Sequence, residues 1–470
     1  MAVRRLDRQR VRGHAPVAQT RPALASRLVA SVDAAIAGVL VVAAVALPTV
    51  FSVENADVFV MPKTILAVGL AVLLLPMLAT RWLLSGWTLG EARRSPLVWA
   101  LAAFIVLNLV AAWFAIDREH ALVGEKLQFK GLGTTLAYTV YLVAAWTAVR
   151  GTAYRVLLAW AVAVSGTVAA IYAVMQRADL DPIWNILVEG RVFSTLGQPN
   201  WLAALFVISI PLTVTLAVGR HLVVQAIVGG VVLLQLAALA FTLSRGGFLG
   251  AGLAALAMLA GIAWRRRVVV SRRGIAVGVA VLAVLAVGIV AVPQSRAALG
   301  SVISRIGQID DPQERSASAH LDQWAVGVAI VADHPLIGAG QDSYVLLFSD
   351  YRDEVLPADR AEIWRRYRPE SPHNHYLAIA GGQGIPALLA YLGIIGVAVA
   401  RGVRAVGRAS DGRTAMLGIA FLAAIGGHLV TDFFITAETS GSVLFWIILG
   451  ATTALATSVP VTTRARDAAA

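Results

Sequence analysis

Cysteine is absent from all 470 residues, and charged side chains make up only 14% of them. Without cysteine there is no disulfide framework and no thiolate metal site. An average soluble domain is roughly 25% charged. A chain this poor in charge cannot be a disordered polymer, which needs net charge and little apolar content. Nor can it cover a soluble globule of this size with polar surface. Hydrophobic residues fill 58% of the sequence, with 41 glycines and 17 prolines among the rest. The class that remains is an all-α polytopic membrane protein.

A helix needs about 20 apolar residues to cross a hydrocarbon core of about 30 Å. Runs of that kind fall near 33–52, 64–80, 96–116, 131–149, 156–176, 200–219, 222–243, 247–264, 274–293, 376–400, 414–436 and 441–459. This gives about 12 transmembrane helices. The runs lack the two-residue alternation of a membrane barrel, and an isolated span must satisfy its own backbone, so helices are expected. Residues 1–27 read as a basic tail and 28–293 as the first nine spans. Residues 294–375 read as one long polar loop, 376–459 as the last three spans, and 460–470 as a second tail. Within the long loop, Leu321, Trp324, Ala325, Val328 and Val331 recur at helical spacing, and Ile363, Trp364 and Tyr367 make an apolar patch among charges. These patterns suggest short helices lying on the membrane surface.

The net charge of +12 is explained by topology. With a cytoplasmic N-terminus, the even loops and both tails hold 24 of the 39 basic residues and 5 of the 27 acidic ones. The positive-inside rule then places both termini in the cytoplasm and both long polar segments, 177–199 and 293–375, outside. The positive excess is not a nucleic-acid footprint, and no nucleic-acid partner is expected.

Four polar clusters sit where spans meet the outer side. Arg191 opens the segment Arg191-Val-Phe-Ser-Thr-Leu-Gly-Gln-Pro-Asn200. Asn200 after Pro199 reads as a helix cap, and Arg191 as either a snorkelling cation or a fork for phosphate oxygens. Ser244-Arg245-Gly246 lies between two apolar runs with almost no loop. An Arg there either snorkels or binds an anion, and Gly246 with Gly250 forms a small-xxx-small pair for close packing. His334-Pro-Leu-Ile-Gly-Ala-Gly340 reads as a turn that lacks the phosphate-loop lysine. His373-Asn374-His375 stands at the mouth of the tenth run. Two histidines two apart make a poor metal pair, whereas a single histidine there suits general base work. Asp179 and Asp181 form an Asp-x-Asp that could bind a divalent cation, a pattern that also arises by chance.

In this order the clusters resemble the O-antigen ligase and polymerase superfamily of bacterial envelope glycosyltransferases, whose relatives include protein O-oligosaccharyltransferases. Met61-Pro-Lys63 and Lys130-Gly-Leu132 add to the likeness, which runs from about residue 60 to 440. The resemblance implies an inverting, metal-independent transferase with no cofactor. Its donor would be a glycan on undecaprenyl diphosphate at the outer face of the inner membrane, and its acceptor a hydroxyl on a glycan, lipid or protein. By position in the motifs, His373 is the catalytic base, and Arg191 and Arg245 bind the donor diphosphate. Relatives carry a further Arg before the Trp of the loop helix. Here His320 occupies that place and Arg315 lies nearby, so either is a candidate third contact. Asn374, His375 and Asn200 are candidate supporting or acceptor-side residues. Membrane lipids surround the whole. A transporter for inorganic carbon or another small solute is the alternative within the superfamily, although the spans hold few acidic residues for ion coupling.

Overall fold

The structure is a computed structural model that describes residues 20–85, 94–125, 129–184, 186–188, 190–265, 315–436 and 438–458. Among the described residues there are sixteen α-helices and no named strand. The protein is an all-α polytopic membrane protein. The first nine helices are α1 (Thr20–Thr49), α2 (Val60–Ser85), α3 (Pro96–Trp113), α4 (Arg118–Val123), α5 (Leu132–Ala148), α6 (Thr152–Arg177), α7 (Pro199–Thr215), α8 (Leu222–Phe241) and α9 (Arg245–Trp264). After residue 314 come α10 (Arg315–Asp333), α11 (Tyr344–Val355), α12 (Ala358–Arg365), α13 (His375–Gln383), α14 (Ile385–Arg408), α15 (Gly412–Thr431) and α16 (Thr439–Ser458).

Nine of the described helices are long and apolar enough to span a bilayer. Two more, α5 and α7, have 17 residues each and are largely buried among them. The predicted run 274–293 lies outside the described residues. The run 376–400 is not one helix. It breaks at Gly384, whose φ of +88° is open to glycine and costly for other residues. The backbone beyond the break turns so that Ile385 N donates to Pro335 O at 2.8 Å. Helix α1 already includes Thr20–Ser26, ahead of the predicted apolar run, where Ala, Leu and Arg favour helix.

Burial within the bundle is graded. α16 and α15 are mostly enclosed, whereas α2, α8 and α9 turn much of their apolar surface outward, as lipid-facing helices do. Close approach uses small residues in place of large interlocking ones. Gly250 lies on such a contact between α9 and α15, whereas Gly246 meets Phe434 just beyond the end of α15. A Cβ on Gly250 would stand 2.7 Å from the Gly427 carbonyl oxygen, so the two backbones touch.

The contacts sort the helix ends into two layers. At one end, Arg81 pairs with Asp33, and Arg401 donates to Ser95 Oγ at 3.3 Å. Arg155 donates to Arg150 O and Ala454 O, and Arg265 to Gly407 O and Ala409 O. These are all residues that the charge count places inside. At the other end, Lys63 reaches Thr195 O, Ser440 reaches Leu47 O, and Tyr376 reaches Leu429 O.

Helices α10, α11 and α12 form a lid at this second end. Val326, Ile330, Tyr344, Leu347, Phe348 and Leu356 make its own small core. Asp322 holds it together, accepting from Arg360 Nε at 3.0 Å and Trp364 Nε1 at 2.9 Å. The apolar pattern does not predict helix α11. Only its first turn, Tyr344 to Phe348, is strongly apolar, and the rest is polar and faces out.

Candidate functional site

The site lies beneath the lid, where several short turns meet. Arg191 precedes a single 3-10 turn, Ser194–Leu196. Almost every polar group of that segment has a structural partner. The Gln176 side-chain oxygen accepts from the Phe193 and Ser194 amides at 3.2 and 2.7 Å. Ser194 Oγ donates to Ala169 O at 2.7 Å, and Thr195 Oγ1 to Pro48 O at 2.7 Å. Lys63, fully buried, donates to Thr195 O at 2.6 Å. Lys63 is thus a clamp on this turn, which explains its place in the Met-Pro-Lys motif.

The cap of α7 differs from the expectation. Gln198 is the N-cap and accepts from Trp201 N at 3.1 Å, with Pro199 as the first helical residue. The Asn200 side chain is thereby free to meet Arg191, and its Oδ1 accepts from Arg191 Nη2 at 2.6 Å. Arg191 Nε donates to Thr242 O at 2.7 Å. Arg191 is therefore held at two points, and the second point is the turn that carries Arg245.

That turn passes through Leu243, whose φ is +47°, to Ser244, which caps α9 by accepting from Gly247 N at 3.2 Å. Arg245 is the first residue of the helix. A helix N-terminus presents free amides and a positive dipole end, so a guanidinium here adds to a field already suited to an anion. Gly246 lies against Phe434, where a Cβ would be 2.8 Å from the Phe434 Cβ. Phe434 in turn faces Trp324 of α10, with ring centroids 6.3 Å apart.

His320 lies one helical turn before Trp324 on α10. Its ring faces the His373 ring at 5.4 Å between centroids. His373 has φ +47° in the turn before α13. A non-glycine residue in that region is uncommon and persists only when its surroundings hold it there. Here the neighbours do so. Asn374 caps α13 by accepting from Leu377 N at 3.1 Å, His375 N donates to Asp432 O at 2.8 Å, and Thr436 Oγ1 donates to Ser371 Oγ at 2.8 Å. Burial first, and the positive Lys130 second, push the His373 imidazole down to about 4, so it is neutral and able to accept a proton near pH 7.

The contacts therefore connect Arg191, Asn200, Arg245, His320 and His373 in one region, by way of Thr242, Phe434 and Trp324. Arg315 lies on α10, about one and a half turns before His320 along the helix. His375 does not join them. Its ring packs edge-on against Tyr391 at 5.6 Å, on the other side of the turn, and burial pushes it down to about 4. It lines a small cavity of about 90 Å³ with Lys130, Tyr138 and Asp342, which Ser371 and Pro372 of the His373 turn also border.

Sequence reasoning does not single out Lys130 as a site residue. Its ammonium lies over the Trp201 ring at 5.0 Å, next to Asn200, and it is close enough to His373 to act on its charge. The signal that could have found it is its place directly after an apolar-poor loop, at the mouth of α5. Two other clusters have structural uses. The glycine-rich segment 334–340 is a strap: Ala339 N donates to Gly381 O and Gly340 N to Gly382 O, both at 2.8 Å. Its glycines admit another backbone, not a phosphate. In the Asp-x-Asp, Asp181 organises its own loop. It accepts from Ile183 N at 2.9 Å, Gln176 Nε2 at 3.0 Å and Tyr172 Oη at 2.9 Å. Partial burial alone would raise its pKa, but these hydrogen bonds outweigh it and hold the carboxyl below its usual range. Among the described residues no three His, Asp or Glu side chains gather as a metal site.

No curated protein matches the chain. Residues 230–392, which run from α8 through the Ser-Arg-Gly turn, the lid and the His-Asn-His turn into α14, match the family described as O-antigen ligase, a match that supports the O-antigen ligase superfamily.

Proposed function

We propose that this protein is an integral membrane glycosyltransferase that moves or polymerises a glycan from an undecaprenyl-diphosphate donor onto an acceptor hydroxyl. The family match supports glycan transfer of the ligase or polymerase kind in general. What supports the finer reading is a run of contacts at the end of the bundle away from the arginine-rich loops: Arg191 on the turn that precedes Arg245, Gly246 against Phe434, Phe434 against Trp324, and His320 against His373. By the positive-inside rule that end faces outward from the inner membrane, with both termini cytoplasmic.

The chemistry follows from the charges. The acceptor oxygen attacks the anomeric carbon while the bond from that carbon to the diphosphate oxygen breaks. The electron pair leaves with the diphosphate, and the acceptor proton passes to the neutral His373 imidazole. A single displacement of this kind inverts the anomeric centre. Negative charge grows on the leaving oxygen, and cations already in place stabilise it without reorganisation. Arg245 at the start of α9 and Arg191, fixed on the preceding turn, serve that purpose. Lys130 adds a third positive charge near His373, and His320 takes the position that relatives give to Arg. With these cations the reaction needs no metal, and transfer is expected to survive EDTA. Asn200 keeps Arg191 aimed, and Asn374 holds the turn of His373.

The test uses the full chain in proteoliposomes with a polyprenyl-diphosphate glycan and a hydroxyl acceptor, and reads transfer on a gel. His373→Ala is expected to reduce the rate by about 10²–10⁴-fold, the usual worth of a general base. Arg245→Ala is expected to reduce it by about 10²–10³-fold, as for one oxyanion donor. Wild-type rates in both variants would overturn the assignment.

A further inference from the structure

The end of the bundle opposite the site has a cavity of its own. It measures about 470 Å³ and lies between the ends of α2, α3, α5 and α14. Arg81, Arg150 and Arg401 line it, together with Trp82, Trp146 and Ser95. Three guanidinium groups in one cavity repel each other unless anions are present, since like charges at partly desolvated sites are poorly screened.

The described carboxylates nearby are already engaged. Asp33 takes Arg81, contacting both Nε and Nη2. Asp411 caps α15, accepting from Thr414 N at 2.8 Å. Arg401 has the Ser95 hydroxyl at 3.3 Å and the Trp146 ring at 5.9 Å, neither of which carries a charge. Arg150 makes no hydrogen bond or ion pair through its guanidinium among the described residues; only its carbonyl is used, by Arg155. The cavity thus holds two cations beyond its one paired Arg. Of the residues that line it, Trp82 is 47% exposed and so turned to the surroundings, with the apolar Leu78, Ala79 and Val143 along the wall. Two excess cations below a tryptophan, open toward lipid, match an anionic head group with acyl chains along the helices.

We propose that this cavity binds the phosphate of an anionic phospholipid from the bilayer, with Arg150 and Arg401 as its contacts and Trp82 and Trp146 beside the glycerol. The binding does not depend on the transfer reaction, and its failure would leave the reading of the other end intact. Each juxtamembrane cation contributes about a fivefold preference for anionic lipid, so two give about 25-fold.

The experiment is native mass spectrometry of the full-length protein released from vesicles of equal phosphatidylglycerol and phosphatidylcholine. The expected result is retained phosphatidylglycerol on the wild type, enriched about 25-fold over phosphatidylcholine. Arg150→Gln and Arg401→Gln should each lower the enrichment about fivefold. Arg220→Gln, in the α7–α8 loop at the same end but outside the cavity, should leave it unchanged. Equal loss in Arg220→Gln would reveal only diffuse charge and overturn the site. Release of the lipid by millimolar inorganic phosphate would also overturn it, since a phosphate site needs no acyl chain. Glu91, in the α2–α3 connection, lies outside the described residues. A wild type without preference that gains one in Glu91→Gln would show that the cavity's anion belongs to the protein, again against the proposal. Thermal unfolding in detergent checks that each variant is folded.

Discussion

At the arginine-rich end of the bundle, Arg155 and Arg265 are spent on carbonyls at helix C-termini: Val149, Arg150 and Ala454 for the first, Gly407 and Ala409 for the second. Apart from that of Ala454, those carbonyls lie at or just beyond the last turn of a helix, where a cation also meets the negative end of the dipole. At the site end the cations are placed by turns instead. Arg191 is fixed by the carbonyl of Thr242 and the side-chain oxygen of Asn200, and Lys63 by the carbonyl of Thr195. The backbones differ in the same way. All six described non-glycine residues with left-handed φ are at the site end: Phe129, Asp179, Ser194, Leu243, Asp342 and His373. One precedes Lys130, one precedes the Ser-Arg-Gly turn, and one is the proposed base itself. One end is assembled from ordinary helix caps, and the other from strained turns that their surroundings over-determine. Strain collected at one end is what a preorganised site requires.

The sharpest way to break this contrast is at the strap. Gly338 has φ +77°, and a Cβ there would stand 2.5 Å from the Gly382 carbonyl oxygen. Gly338→Ala should cost about 3–5 kcal/mol, the range of severe backbone and packing defects. It should free the lid, which limited proteolysis within 344–368 would detect. A protease-resistant lid in this variant would mean that the strap does not hold it.

A smaller effect is expected at Asn200. Asn200→Ala removes the side-chain partner of Arg191 and should cost about 1–3 kcal/mol of transition-state stabilisation, or roughly 5–160-fold in transfer rate. Thermal stability should change little, because Gln198 and not Asn200 caps α7. A large stability loss with normal transfer would reverse the assignment of the two residues.

At the opposite end, Asp411→Ala removes the cap of α15 and should lower stability by about 1 kcal/mol. Transfer by the folded protein should be unaffected. Lost transfer at wild-type stability would mean that the two ends are coupled.

The smallest expected effect is a flat pH profile. The base is active when neutral, so its limb in kcat/KM falls as pH decreases through the folded pKa. For His373 that pKa is lowered to about 4 by burial and Lys130. kcat/KM should therefore hold nearly constant from pH 8 to about 5.5, whereas an ordinary imidazole near 6.5 would lose about tenfold across that range. Lys130→Met should move the limb upward, because a positive neighbour is removed.

Much of this was legible in the chain. Apolar runs of about 20 residues can only be stable as spans, and the asymmetry of Arg and Lys sorts their ends. The Arg191, Arg245 and His373 motifs could be recognised as turns at span mouths because glycine, proline and polar residues interrupt apolar runs there. Less legible was what each motif residue does. Lys63 and Lys130 both stand at the mouths of outer-end helices and look alike in sequence, yet one is buried on Thr195 O and the other acts on His373. His373 and His375 are two positions apart, yet their rings face His320 and Tyr391 respectively. A helix cap can be moved by one or two residues at little cost, so Gln198 displaced Asn200.

The sequence by itself determined that this is a helical membrane protein, which end of each helix is basic, and where the polar mouths lie. These follow from transfer free energies, which are local and additive along the chain. Only the tertiary structure decided which polar groups serve the fold and which face a shared site. That depends on partners far apart in sequence: Arg191 and Thr242, Lys63 and Thr195, His320 and His373. A hydrogen bond or a ring contact is set by distances of a few ångströms, and no local pattern in the chain encodes those.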